Sequence, residues 1–374
     1  MKLCSPQVGL DPGTHLGGAV HDWEVLREVG RRGSQIHILL PRGALCDLQP
    51  GWEIHRTPAH RLSFYEYNFI FARFLLKHGH TWNLDLLRVH SPYAVGPGVL
   101  YAARRLGLPV VAHYHHLEDK SLDHVVNRWT IGRYQALITV SQFSKDQIAR
   151  RYGVERDRIH VVPNGVNVER FRPLGDGLVT EFTPLEPGAR VLAFIGSLIR
   201  RKNVAILPQI LARLRSRHPH LHLLVAGEGP ERETLVDRAR HCDVADRVHP
   251  LGAISEEQKV RLLNRAEVFL FPSRVEGFGI AAAEAMACGT PVVAARAGGL
   301  PEVVEDSLTG WLCDPEDPEA FATAVDRLLQ DPALGRSMGE AGRRRVLERF
   351  CWESAGARIL EIYEQAAGEG ICDR

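Results

Sequence analysis

Short apolar runs recur along this chain, each followed by a loop of glycine, proline or charged residues and then by a helical pattern. Val268-Phe269-Leu270-Phe271 is the clearest, four apolar residues stopped by Pro272, a length and boundary that suit a buried strand. Ala281 to Ala287 are strong helix formers, and Gly289 with Pro291 supplies the stop. Gln35–Leu40, Pro109–Ala112 and Ala136–Val140 repeat the strand pattern in the first half, as do Val191–Ile195, Leu221–Ala226 and Val248–Gly252 in the second. A helical pattern is expected from Gly98 to Arg105. Strands that alternate with helices predict doubly wound parallel sheets. At 374 residues the chain is comfortable for two domains. The Pro- and Gly-rich stretch Arg172–Gly188 is its best boundary.

The loop between Pro272 and the alanine run concentrates the chemistry. A glycine-bearing turn that opens a helix presents unpaired N–H groups and the positive end of the helix dipole to an anion. Gly277 and Gly279 let a phosphate approach the backbone around Phe278 and Ile280. Two acids flank the turn: Glu276 in the loop and Glu284 in the second turn of the helix. A carboxylate offers two acceptor oxygens to a vicinal diol, so the pair suits the two sugars of a nucleotide sugar. A loop acid and a solvated helix acid are the ordinary alternative. The alanines around Glu284 weigh against it, because a helix small on nearly every face packs closely and still keeps one acid.

Arg200-Arg201-Lys202 follows the strand Val191–Ile195, and a basic loop at the end of a strand suits a diphosphate. His113-Tyr114-His115-His116 follows Pro109–Ala112, beyond the carboxyl end of a strand, where open α/β sheets bind ligands. Gly17-Gly18 closes a flexible loop ahead of a helical pattern.

Composition excludes several classes. The longest apolar runs fall far short of the roughly 20 residues that span a bilayer. Seven scattered cysteines lack metal-ligand spacing and predict reduced thiols. With Met1–Pro6 lacking the apolar core of a signal peptide, a cytoplasmic location is expected. Residues 1–170 carry 21 Lys+Arg against 15 Asp+Glu, and the remainder 25 against 30, so a net charge of +1 divides into +6 and −5. The basic half suits an anionic acceptor or peripheral contact at the inner membrane face. No cluster of cations with interleaved aromatics points to nucleic acid. Gly227-Glu228-Gly229-Pro230 lacks the third glycine of a dinucleotide fingerprint. No Asp-x-Asp pair stands where a divalent cation would bridge phosphates, so no metal or cofactor is expected.

Glu276-Gly-Phe-Gly-Ile-Ala-Ala-Ala-Glu284, with the preceding Phe-Pro-Ser and the downstream Gly298-Gly299-Leu300-Pro301-Glu302, resembles the Glu-x7-Glu motif of the retaining glycosyltransferases of family 4. The resemblance covers essentially the whole chain. It implies the GT-B fold, two Rossmann-like doubly wound α/β domains facing a central cleft. It divides the chain into 1–172 plus 355–374, a linker 173–188, and 189–354, the last helix crossing back to the first domain. It also implies transfer of a sugar from a UDP- or GDP-hexose to a hydroxyl of a glycan, lipid-linked or small-molecule acceptor, with retention and without a metal. His115 and Glu276 would orient the donor sugar, Glu284 the ribose, and Lys202 the diphosphate. Gly17 and Gly18 would let the phosphates approach the front domain. The family's phosphate-clamp arginine is Ser197 in this chain, so Arg200 or Arg201 is expected to substitute. A related epimerase or phosphorylase, or a non-catalytic nucleotide-sugar-binding protein, is the alternative.

Overall fold

The computed structural model describes residues 1–10, 17–58, 66–90, 92–115, 121–175, 185–186 and 188–369. The chain divides into two compact units, Met1–Gly165 with Trp352–Arg374, and Val166–Cys351. Most of the stretch 173–188, together with His116, Ser91 and residues 11–16, lies outside the described residues.

The first unit is built on seven strands: β1 Lys2–Pro6, β2 Gln35–Pro41, β3 Trp52–Thr57, β4 Leu86–Val89, β5 Val110–Tyr114, β6 Ala136–Thr139 and β7 Ile159–Val161. Their order is β3-β2-β1-β4-β5-β6-β7, with every pairing parallel. The second unit has β8 Arg190–Ile195, β9 Leu221–Ala226, β10 Val248–Gly252, β11 Val268–Phe271, β12 Val292–Ala295 and β13 Gly310–Cys313, ordered β10-β9-β8-β11-β12-β13 and again parallel. Both are doubly wound sheets. Helices cover each sheet on two faces, which is why the central strands are nearly continuous Val, Leu, Ile, Ala and Phe rather than alternating. In each unit the chain winds outward one way and then returns to wind the other. The switch falls between β1 and β4 in the first unit and between β8 and β11 in the second. Crevices at such points, outside the carboxyl ends of the strands, are where this architecture binds ligands.

The helix expected from Gly98 begins at Pro92 and runs to Leu106. Pro92 suits a first helical turn, where its missing N–H has no partner to lose. Asn68 intervenes beside Pro97, donating to Ala94 O at 2.5 Å and accepting from Gly98 N–H at 2.8 Å. A side-chain amide thus supplies both groups of one helical rung. β5 also reaches further than expected, through Tyr114, which places His113 inside the strand and fully buried. β3, the helix Glu66–His78 and β13 gave no signal that stood out from their surroundings. The last helix, Trp352–Glu369, belongs to the first unit and lies on the helix Gly17–Arg31, where Arg32 Nη2 donates to Glu353 O at 2.6 Å.

Candidate functional site

In the second unit, the ends of five strands meet around the switch point. Leu198 N–H donates to Glu228 O at 2.8 Å and Gly227 N–H to Gly252 O at 2.7 Å, joining the ends of β8, β9 and β10. On the other side Gly299 N–H donates to Glu276 O at 2.8 Å. Gly298 has φ +60°, and a Cβ there would stand 2.1 Å from Glu276 O. Only glycine lets the loop after β12 close on the Glu276 loop in this way. Gly279, at φ +98°, caps the helix Ile280–Ala287 and aims its first N–H groups outward from the turn. Phe278 is buried edge-to-face on Phe350 with centroids 5.3 Å apart, so its side chain belongs to the core.

Glu276 sits beside Lys202, with Lys202 Nζ 2.5 Å from Glu276 Oε2. Arg201 Nη1 is 3.4 Å from the same oxygen, and its side chain is largely exposed. Lys202 lies in the short turn Arg200–Lys202 and keeps only 9% of its surface. Its ammonium rests over the Phe271 ring, 4.6 Å from the centroid. Burial lowers the Lys202 ammonium below its ordinary range, and Glu276 offsets that only in part. A buried cation with a single carboxylate for company can exchange it for a better anion. Arg200 is exposed at the start of the turn. The structure therefore brings Arg201, not Arg200, to Glu276.

Glu284 is 4% exposed, and Lys259 Nζ stands 2.6 Å from its Oε2. Lys259 comes from the helix Glu256–Arg265, held by the Ser255 capping box. It is also 3.6 Å from Glu256 Oε1 and lies over Phe171 at 5.1 Å. Burial pushes the Glu284 carboxyl up. Burial alone would lower the Lys259 ammonium, but the two carboxylates hold it above its usual value. Lys259 engages one carboxylate oxygen, and a carboxylate has two. The end of the helix Ile280–Ala287 and the turn after it pack closely on the helix Pro332–Arg349: a Cβ on Gly339 would be 1.9 Å from Gly289 O, and one on Gly342 3.3 Å from Met286 Cβ. Lys259 was not legible in advance, because nothing in its sequence neighbourhood separates it from a solvated helix lysine.

In the first unit the polar groups form a buried network at the β1/β4 switch. Arg88, on β4, is fully buried and pairs with Asp22. Its Nε donates to Tyr363 OH at 2.8 Å and its Nη1 to Ser5 Oγ at 3.1 Å. His113 Nε2 is 2.7 Å from Tyr363 OH, and His21 Nδ1 is 2.6 Å from Asn164 Oδ1. His115 lies half-buried at the end of β5, its ring 4.0 Å from that of His21 and its Nε2 3.3 Å from His90 Nδ1. His113, expected in the loop beside it, is instead interior, because the strand runs on through Tyr114 and both faces of the sheet are covered. Burial pushes His21 down to about 3 and His113 well below the usual imidazole range, with Arg88 and the other histidines adding to the effect. Gly17 and Gly18 open the helix that carries His21 and Asp22. A Cβ on Gly18 would meet nothing within 4 Å, so packing does not demand glycine there.

Comparison with known proteins follows the same division of the chain. Residues 180–345 match the model "Glycosyl transferases group 1", and residues 17–170 match "Glycosyltransferase Family 4". The chain is 34% identical to an MMP α-(1→4)-mannosyltransferase of Mycolicibacterium hassiacum, over 74% of this chain and 70% of that one. It is 30% identical to a D-inositol 3-phosphate glycosyltransferase of Xylanimonas cellulosilytica, over 95% and 93%. Among solved structures it resembles sucrose-phosphate synthase from Thermosynechococcus elongatus, at TM-score 0.84 and 23% identity over 98% of this chain and 99% of that one. It also resembles Anabaena HepE in complex with UDP and glucose, at TM-score 0.79 and 19% identity over 98% and 100%.

Proposed function

Because the chain belongs to the family 4 glycosyltransferases, with the GT-B fold, we propose that it moves a hexose from a UDP- or GDP-sugar to an acceptor hydroxyl with retention of configuration and without a metal. The observation that carries this reading is the Lys202–Glu276 contact of 2.5 Å at the β8/β11 switch, beside the N-terminus of the helix Ile280–Ala287. The donor diphosphate takes over Lys202, which then neutralises the charge that develops as the glycosidic bond breaks. The backbone around Gly277, Phe278, Gly279 and Ile280 adds donors fixed in advance of the reaction. Arg201 fills the place of the family arginine. The incoming anion replaces Glu276 as the partner of Lys202, and Glu276 is freed to accept from the donor sugar. Glu284, oriented by Lys259, accepts from the ribose hydroxyls. His115 of the first unit hydrogen-bonds the donor sugar, and Gly17 and Gly18 leave room for the phosphates. The departing phosphate takes the acceptor's proton, so no protein base is required.

No described helix is long and apolar enough to cross a membrane. The same proposal places the enzyme in the cytoplasm. A sugar, lipid-linked or small-molecule hydroxyl serves as acceptor, and the basic excess of residues 1–170 suits an anionic one at the inner membrane face.

Incubation with labelled UDP- and GDP-hexoses, with and without candidate acceptors and with EDTA, tests the reading. The expected product keeps the donor's anomeric configuration by NMR and forms undiminished in EDTA. An inverted product, or a free epimerised sugar nucleotide formed without acceptor, would contradict it.

A further inference from the structure

Away from both switch points, β2 and β3 form one edge of the first unit's sheet, with His37 opposite Glu53 and Leu39 opposite His55. Partners across the ladder and residues two apart along a strand share a face, so His37, Glu53 and His55 stand together. Their ligating atoms converge. His37 Nδ1 is 2.9 Å from His55 Nε2 and 3.5 Å from Glu53 Oε2, while His55 Nε2 is 3.5 Å from Glu53 Oε1. Ligands held at zinc-type bond lengths of about 2.0–2.1 Å in a tetrahedron lie about 3.3 Å apart, which falls within this spread. Trp82 stacks on both imidazoles, at 4.7 Å and 11° to His37 and at 4.3 Å and 25° to His55, and so fixes both ring planes. His37 is buried and Glu53 half-exposed, so the cluster is anchored on one side and reachable from the other.

The C-terminal sheet provides a built-in comparison. His222 on β9 and His249 on β10 also meet across an edge pairing, Nδ1 to Nε2, at 3.0 Å. There the nearby acid, Glu186, stands 3.7 Å from the other ring nitrogen of His222 and 2.7 Å from His220 Nδ1. Among the described residues, no carboxylate joins the point where the two rings meet. A pair of histidines alone is satisfied by one shared proton. Adding Glu53 turns the same pair into three electron-pair donors around one point, an arrangement that wants a cation.

We infer that His37, Glu53 and His55 bind a divalent zinc-type ion that ties the edge strand β3 to β2 beneath Trp82. Two imidazoles and a carboxylate are a zinc-type donor set, with the remaining position left to water. The ion would stand apart from the polar network at the β1/β4 switch. β1 and β4 lie between this edge and β5, which carries His113 and His115. His21, His113 and His115 also bring ligand atoms within 4.8 Å of one another, so the test has to separate the two clusters.

Metal-stripped full-length protein is titrated with Co2+ and followed by its visible absorption, and its Tm is read with and without Zn2+. One Co2+ per chain with an intense tetrahedral-type band is expected, and Zn2+ raises Tm by several degrees, since an ion that binds only the folded chain stabilises it. Glu53→Gln, at a half-exposed position that tolerates the change, weakens Co2+ binding at least tenfold and removes most of the Tm shift. His55→Gln does the same, and His249→Gln changes neither. If Glu53→Gln keeps the parent's affinity and shift, or if His21→Asn abolishes the band while Glu53→Gln does not, the assignment is overturned.

Discussion

Arg88 and Lys202 hold comparable places, each a cation beside the switch point of its own sheet, yet their surroundings differ. Arg88 is fully buried and tied to Asp22, Ser5 and Tyr363. Its guanidinium stays charged although burial opposes it, because Asp22 and Tyr363 more than offset the loss of water. Lys202 has one carboxylate partner, and burial wins, lowering its ammonium. The first cation is committed to the fold, joining β4, the helix Gly17–Arg31 and the last helix. The second has a single carboxylate partner, which under the proposed function it exchanges for the donor's diphosphate. A cation's place in the topology therefore does not reveal its role; the number of groups that already satisfy it does.

The largest expected effect is on the committed side. Arg88→Met strips Asp22 of its buried counter-ion and should cost about 3–5 kcal/mol of stability, read by urea denaturation. A loss under ~1 kcal/mol would break the contrast. On the exchangeable side, Lys202→Ala should lower kcat by about 10²–10³, the range for removing one charge-stabilising donor, while Tm moves little.

Glu284→Gln is intermediate. It leaves Lys259 with Glu256 alone at 3.6 Å, so stability should fall by less than the ~3–5 kcal/mol of an orphaned buried charge. The donor KM should rise about tenfold with kcat nearly kept, because ribose contacts hold ground state and transition state alike. A collapse of kcat with KM unchanged would move Glu284 from binding to chemistry.

The smallest effect sharpens the network's electrostatics. His21 and His113 are neutral in the fold, their pKa values lowered by burial. The unfolded chain binds protons there below about 6.5 and the native state does not, so stability rises with pH across that window. This contribution is complete above pH 6.5 and is lost as pH falls toward the folded value, about 3 for His21. His113→Asn should flatten the slope of unfolding free energy between pH 6 and 4 by up to ~1.4 kcal/mol per unit. An unchanged slope would mean that His113 is protonated in the native network.

The two regions were not equally legible. The β8/β11 site announced itself because its parts are contiguous: Glu276, the glycine turn and Glu284 lie within nine residues, and Lys202 follows a recognisable strand. Asp22, Arg88 and Tyr363 meet only after the helix Gly17–Arg31, β4 and the last helix are in place, and no local pattern distinguishes them from surface charges and a core tyrosine. The same limit hid Lys259 behind Glu284. The helix expected from Gly98 starts at Pro92, because proline suits a first helical turn as well as a loop, and the full length of β5 had to be seen before His113, inside the strand, and His115, beyond it, could be told apart.

The central claim is that Lys202 trades Glu276 for the donor's diphosphate, and titration calorimetry of UDP and GDP against three proteins tests it most directly. The account predicts that Lys202→Ala binds the preferred nucleoside diphosphate at least about tenfold more weakly than the parent. It predicts that Glu276→Gln, which frees the lysine, binds it as tightly or more tightly. Equal affinity in the parent and in Lys202→Ala, or a loss in Glu276→Gln as large as that in Lys202→Ala, would contradict it.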